Sequence, residues 1–335
     1  VEMDGKEFAM KTVKQSDEFV NREESIMKQI SHPHIIGYVK SWVQDSTLHL
    51  VMECEPTNLK EYIKYNSFTS DELKTVTRGM FSGVEYLHSK SICHRDLKLD
   101  NVLYNPQLVK VKICDFGCSK IMEENKPNTS YICSRYYRAP ELIIGAEIYS
   151  TSIDIWSLGC IIAEITTKVP LFRGCDSIHH QLAEIIKVLG MPSSYDCYKM
   201  NVKRFRFSGE IKTRRLIDVL CHTTPFELID LLSKIFVYDP TKRYTASKAL
   251  EHKYYSNTGL LEQCLQSVRD DGESPDKIEQ HIRQLYTLMQ SKHETEMEIQ
   301  EKLHHAQYKA FIDSPIEKGS KKWSSPIAGV FSRAK

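Results

Sequence analysis

The feature that most constrains this chain is a pair of short polar segments set at the two ends of a hairpin pattern. His94-Arg95-Asp96-Leu97-Lys98-Leu99-Asp100-Asn101 stands on one side, Asp115-Phe116-Gly117 on the other, and LYNPQLVKVKIC lies between them. The intervening stretch reads as a hairpin that ends in a buried strand. Three acid or amide side chains, Asp96, Asn101 and Asp115, are thereby placed at loop ends. Loop ends held by a rigid scaffold are where chemistry-bearing side chains usually sit.

The rest of the chain has to supply that scaffold. With 335 residues, 41% of them hydrophobic and 27% charged, the composition is that of an ordinary globular protein longer than the usual single domain. The 45 Lys and Arg residues nearly balance 44 Asp and Glu, a formal net charge of +1. This argues against a strong field for nucleic acid or an anionic membrane, and any basic site must be local. Nor are aromatic residues interleaved with basic ones as in a nucleic-acid binder. The ten cysteines are scattered, without a CxxC pair and without a signal-peptide pattern at Val1–Lys11, so they read as reduced thiols. Apolar runs such as Leu228–Ile235 are broken by Asp or Lys well short of the roughly 20 residues a membrane span needs. The expectation is a soluble, cytoplasmic protein, extending to the nucleus. His179–His180 and His304–His305 have no Cys or carboxylate cluster at ligand spacing, so no structural metal is expected there.

Periodicity divides the chain. Residues 1–55 alternate extended runs, Phe8–Val13, Tyr38–Val43 and Leu48–Glu53, with one helical stretch through Glu18–Ile30. Residues 56–256 turn helical. Thr69-Ser70-Asp71-Glu72 is a capping box, and Leu73, Val76, Met80, Val84 and Leu87 follow at spacings of three and four. Thr224-Pro225-Phe226-Glu227 reads as a second start, with Thr224 as the cap and Pro225 at the first helical position. From 257 to 312 a sparse stripe, Ile278, Ile282, Leu285, Met289, Ile299, Leu303, Ala306 and Ala310, predicts a helical extension. It would dock along the main domain or pair with another chain to form an oligomer. Residues 313–335, rich in Lys, Ser and Pro, read as a loosely held tail.

HRDLKLDN with DFG resembles the catalytic and metal-binding loops of protein kinases. The resemblance implies an α+β, bilobal fold, with a small mainly β N-lobe, a large mainly α C-lobe, and ATP and Mg²⁺ as cofactors. By it, Asp96 positions and deprotonates a substrate hydroxyl, Asn101 and Asp115 hold Mg²⁺, and Lys98 neutralises charge on the transferring phosphate. The Lys two residues after the Asp is the serine/threonine form of the loop. Upstream, Phe8-Ala9-Met10-Lys11 is similar to the family's third strand, so that Lys11 reaches the ATP phosphates and Glu23 holds it extended. Met52 then backs the adenine pocket, and Glu53, Cys54 and Glu55 form the hinge, offering backbone hydrogen bonds to adenine. Downstream, Ala139-Pro140-Glu141 closes the activation segment, Asp154-Ile155-Trp156-Ser157-Leu158-Gly159 matches the family's next helix, and Glu141 is expected to pair with Arg243.

Tyr131-Ile132-Cys133-Ser134-Arg135-Tyr136-Tyr137-Arg138-Ala139-Pro140-Glu141 resembles the glycogen synthase kinase-3 family, a likeness running from about Lys6 to Tyr255 and supported by Glu184–Gly190. That family recognises substrates already phosphorylated four residues C-terminal to the target, through three basic side chains. Arg22, Arg95 and Lys120 stand at those positions, and a phosphoserine with nearly two charges and three acceptor oxygens suits such a cluster. Tyr131 stands where the family autophosphorylates on tyrosine. Two features depart from the pattern. Thr129-Ser130-Tyr131 also fits the TxY of mitogen-activated protein kinases, which keeps an unprimed kinase of that or the cyclin-dependent kind as the alternative. Leu99-Asp100 replaces the family's usual Pro-Gln, the mark of a divergent member. No GxGxxG occurs, and a kinase fold needs a strand and a Gly-rich loop ahead of Lys11. Those residues are expected to be missing from the sequence in hand. A pseudokinase scaffold recruiting partners through its C-terminal segment is the reading from another class. The expected partners are protein substrates, primed by phosphate, and scaffold proteins on the C-lobe.

Overall fold

The computed structural model describes residues 1–256, apart from 4, 15–21, 175–176, 203–206, 208–210 and 221–223. The chain divides into two compact units, Val1–Cys264 and Leu265–Lys335, and every described residue belongs to the first. The predicted helical extension and tail, and the first four residues of the Glu18–Ile30 stretch, lie outside the described residues.

Alternating polarity in the first fifty residues produces a four-stranded antiparallel sheet. Its strands are β1 (Glu2–Met3), β2 (Lys6–Lys14), β3 (Tyr38–Gln44) and β4 (Thr47–Glu53), in the order β1-β2-β4-β3. The register pairs Phe8 with Glu53 and Lys11 with Leu50. Strand β4, paired on both sides, buries Leu48, Leu50 and Val51. Asp45 and Ser46 join β3 to β4 with φ of 48° and 54°, the left-handed pair that a two-residue hairpin needs to match strand twist. Between β2 and β3, α1 (Arg22–Met27) buries Glu23, Ile26 and Met27.

After β5 (Thr57–Asn58), the Asn58 side chain caps α2 (Leu59–Tyr65). The expected capping box then opens α3 (Ser70–Ser89): Thr69 accepts from the Glu72 amide, and the Glu72 carboxylate accepts from the Thr69 amide. All five positions of its apolar stripe are buried. This helix lies close to the hairpin of β7 (Val102–Asn105) and β8 (Lys110–Ile113), which follows β6 (Ile92–Cys93). The approach depends on Gly79 and Gly83. A Cβ at Gly79 would lie 2.8 Å from the Val111 side chain, and one at Gly83 2.9 Å from that of Ile113. Strand β9 (Lys120–Ile121) pairs back on β6.

The remainder is helical, from α4 (Pro140–Ile143) and α5 (Ser152–Thr167) through α6 (Ile178–Leu189), α7 (Ser194–Lys199) and α8 (Leu216–Val219) to α9 (Phe226–Ile235) and α10 (Ala246–Leu250). Helix α5 is apolar on nearly every face and is buried accordingly, with Trp156 in a ring cluster with Phe172 and Phe236 at centroid distances of 5.1–5.4 Å. The start of α9 corrects the sequence reading. Pro225, not Thr224, is the cap residue, the helix begins at Phe226, and the Thr224 hydroxyl is buried without a hydrogen-bond partner. Pro225 still serves the helix end through its carbonyl, which accepts from Leu228 and Ile229. The architecture is α+β in two lobes, sheet-rich first and helical after.

Candidate active site

The loop at 94–101 is held from below by one buried carboxylate. Asp154, near the start of α5, accepts from the His94 amide at 2.8 Å, the Arg95 amide at 2.9 Å and His88 Nε2 at 3.0 Å. Burial alone would raise the Asp154 pKa, but the bond from His88 and the surrounding charge hold it below the ordinary carboxylate range. The loop backbone is thereby anchored on an ionised group. Arg95 adopts φ of 66°, a left-handed conformation that only such over-determination sustains.

On this base the side chains of the loop converge. Asp96 Oδ1 accepts from the Ser134 amide at 3.1 Å and the Ser134 hydroxyl at 2.8 Å, while Lys98 Nζ reaches Oδ2 at 2.8 Å. Asn101 Nδ2 donates to the Asp96 carbonyl at 2.9 Å. His94 ties this loop to the next: the Asp96 amide donates to its Nδ1, and its Nε2 meets the Cys114 carbonyl at 2.9 Å. Its ring packs edge-on against the buried Phe116 at 5.2 Å. Asp115 stands in the left-handed region at φ 65°, a backbone position typical of functional loops.

Lys11 spans to that loop from β2. Its Nζ lies 2.9 Å from both carboxylate oxygens of Glu23 and 2.7 Å from Asp115 Oδ1. Burial works against the Lys11 charge, but the bonds to Asp115 and Glu23 outweigh it and raise the pKa. Asp115 moves the opposite way: burial pushes it up, and Lys11 brings it down. Both groups are therefore ionised at neutral pH. Lys11 and Asp115, 104 positions apart in sequence, thus meet in one cluster.

Met52 is buried at the end of β4, and Glu53 follows it. Here the structure refines the expected hinge. The Glu53 amide is already taken by the Gly37 carbonyl at 3.0 Å, which leaves it no donor for a ligand. Its side chain accepts from the Gly37 amide and pairs with Lys112, which also reaches Glu55 at 3.3 Å. Asn105 donates to Glu55 as well. Cys54, between the two glutamates, is exposed.

Arg22, Arg95 and Lys120, from three different elements, line one cavity of about 570 Å³ together with Asn128, Tyr131 and Glu147. Arg95 is steadied by the Cys118 carbonyl at 2.6 Å, and Lys120 by Asn128 Oδ1 at 2.5 Å. Tyr131 is 76% exposed, with the Arg138 guanidinium 4.8 Å from its ring centre. Glu141 and Arg243 form the expected pair, bidentate at 2.9 and 3.0 Å.

The donor set accommodates a hard cation of the Mg²⁺ type. One carboxylate, Asp115, and one amide oxygen, Asn101, are few, but Mg²⁺ keeps most of its shell as water and phosphate. Among the described residues no group of three or more His, Cys, Asp or Glu side chains could hold a metal alone. Sequence reasoning missed Ser134, Asp154 and Lys112 as supports. Asp154 and Ser134 appeared only as members of longer motifs, with no sign of the groups they hold, and Lys112 carried no signal.

The protein kinase domain model matches residues 1–255. The protein kinase gsk3 of Schizosaccharomyces pombe is 38% identical over 301 residues, which cover 86% of this chain and 76% of that protein. The catalytic-loop geometry, the two-lobed fold and this identity agree: the chain belongs to the protein kinase family, in its glycogen synthase kinase-3-like branch.

Proposed function

We propose that this phosphotransferase acts on serine and threonine and prefers substrates already phosphorylated four residues C-terminal to the target. The observation that carries the reading is the shared cavity of Arg22, Arg95 and Lys120, whose central member adjoins Asp96 in the same loop. A phosphate seated there places the peptide across the Asp96 carboxylate.

In this reading Asp96, held by Ser134 and Lys98, aligns the substrate hydroxyl and accepts its proton as the new O–P bond forms and the bond from the γ-phosphorus to the bridging oxygen breaks, with ADP as the leaving group. Lys98 balances charge on the transferring group. Lys11, kept extended by Glu23, holds the nucleotide phosphates, and Asn101 and Asp115 are the residues that would hold Mg²⁺. The bound ion supplies charge neutralisation at the phosphates. Met52 would back the adenine, and the Glu53 carbonyl with backbone groups of Cys54 and Glu55 would hold its edge. Tyr131, exposed at the rim of the cavity, is the proposed phosphorylation site.

Two measurements test it. A peptide with phosphoserine at the fourth residue downstream should be phosphorylated at least about tenfold faster than its unphosphorylated twin, since a charge-assisted contact is worth about 1.5–3 kcal/mol. Equal rates remove the priming claim. Asp96→Asn should abolish turnover while leaving thermal stability near wild type; unchanged turnover would refute the assignment of Asp96.

A further inference from the structure

The loop that carries Asp96 has a cavity at each end. Arg95, one residue before Asp96, lines the cavity of the basic trio; Leu99, three residues after it, lines another of about 430 Å³. Helix α2, the chain leaving it and the end of α5 make the second wall, where Lys60, Lys64, Tyr65, Glu164 and Lys168 are the chemically distinctive members. Three ammonium groups thus stand against one carboxylate. That carboxylate is engaged elsewhere, because Glu164 accepts the Tyr137 hydroxyl at 2.7 Å.

The lysines are free to change partner. Lys60 pairs with Asp100 and Lys64 with Glu61, each at 2.7 Å, but all four side chains are 39–54% exposed. Such pairs hold weakly and exchange readily. Lys168 donates to the Asn66 carbonyl, a neutral group that leaves its charge uncompensated by that bond. Tyr65, 88% exposed at the rim, offers a flat apolar face for the stem of an incoming side chain.

We propose that this second cavity is a substrate subsite that takes an anionic side chain, carboxylate or phosphate, from the segment N-terminal to the acceptor hydroxyl. The direction rests on the function proposed above: a phosphate C-terminal to the acceptor at Arg95 sends the other arm of the peptide toward Leu99. The Leu99-Asp100 departure from the family pattern sits at the mouth of this subsite, with Asp100 holding Lys60 until a substrate anion replaces it.

The test is a set of primed peptides carrying Glu, phosphoserine, Lys or Ala at each of about six positions before the acceptor, roughly 20 Å of extended chain. At one or two adjacent positions Glu should lower KM about fivefold relative to Ala, phosphoserine should lower it further, and Lys should raise it. Lys64→Glu and Lys60→Gln should each remove most of that preference while leaving activity on the all-Ala peptide, and its dependence on the downstream phosphoserine, unchanged. The preference should also shrink at high salt. No position where Glu changes KM by more than about twofold, or a preference that survives the combined Lys60→Gln and Lys64→Glu variant, overturns the proposal. Because the downstream phosphate is varied separately, loss of priming with the Glu preference intact would refute the direction argument and the priming reading, not the anionic cavity.

Discussion

Arg243 and Glu141 meet with side chains 0% and 1% exposed, whereas Lys11 meets Glu23 and Asp115 with its own side chain 38% and that of Asp115 41% exposed. Both clusters bring a cation to carboxylates at 2.7–3.0 Å. They differ in what is left over. Arg243 spends its remaining donors on the Ser152 and Val237 carbonyls, and its guanidinium lies 5.2 Å from the Trp156 ring. Nothing in that pair is open to a ligand, and its Coulombic gain must offset a large desolvation cost. Lys11 keeps one side toward water. Its bond to Asp115 can be traded for phosphate oxygens without stranding a buried charge, while Glu23, with its side chain only 6% exposed, keeps it as a partner, which suits a site that binds and releases. Closure makes an ion pair architectural, and exposure makes it exchangeable.

The sharpest break of that comparison is to delete each cation. Arg243→Met should cost about 3–5 kcal/mol of stability, because Glu141 would be left buried and unpaired. Chemical denaturation measures it, and a cost under about 1 kcal/mol would show that the closed pair is not what holds the activation segment to α5. Replacing both partners, Glu141→Leu with Arg243→Met, should recover part of the loss.

Lys11→Met should behave in the opposite way. Turnover should fall by about a hundredfold or more, since electrostatic positioning of the phosphates is lost. Stability should fall by less than in Arg243→Met, because the Asp115 side of the cluster is exposed and only Glu23, 6% exposed, loses a buried partner. Parallel losses of turnover and stability would erase the distinction between the two clusters.

How much of this was legible in the sequence follows the same division between local and distant causes. Strands β2, β3 and β4 were readable because alternation is a two-residue signal, and α3 because its capping box and stripe lie within a single helix. The acid and amide groups at 96, 101 and 115 were readable as a set, and the structure brings them together with Lys11 and Glu23. The cap of α9 was misread because Thr-Pro fits a cap followed by a first helical proline as well as it fits Pro225 itself at the cap. Asp154 was readable as the first residue of a family helix motif, but its partners are backbone amides 60 and 59 residues away, which no local pattern reports. The roles of Ser134 and Lys112 were hidden for that reason: their partners, Asp96 and Glu53, lie 38 and 59 residues off in sequence.

The smallest expected effect comes from a third cluster, intermediate in exposure, in which Asp230 on α9 meets His252 Nε2 at 3.2 Å and Lys253 at 2.9 Å with its side chain 27% exposed. The hydrogen bond from His252, then Lys253 and Lys234, bring its pKa well below the ordinary value, against the upward push of burial. A depressed carboxylate contributes stability that is present above its unfolded pKa of about 3.9 and is lost as pH falls toward the folded value. Asp230→Asn should therefore lower stability by about 1 kcal/mol at pH 7, and the gap to wild type should close as the pH drops below about 4. Melting temperatures of the two proteins across pH 3–8 decide it. A gap that persists unchanged at the acid end would mean that the substituted amide lacks a hydrogen-bond geometry rather than a charge. That outcome would move this cluster from the exchangeable side of the comparison to the architectural one.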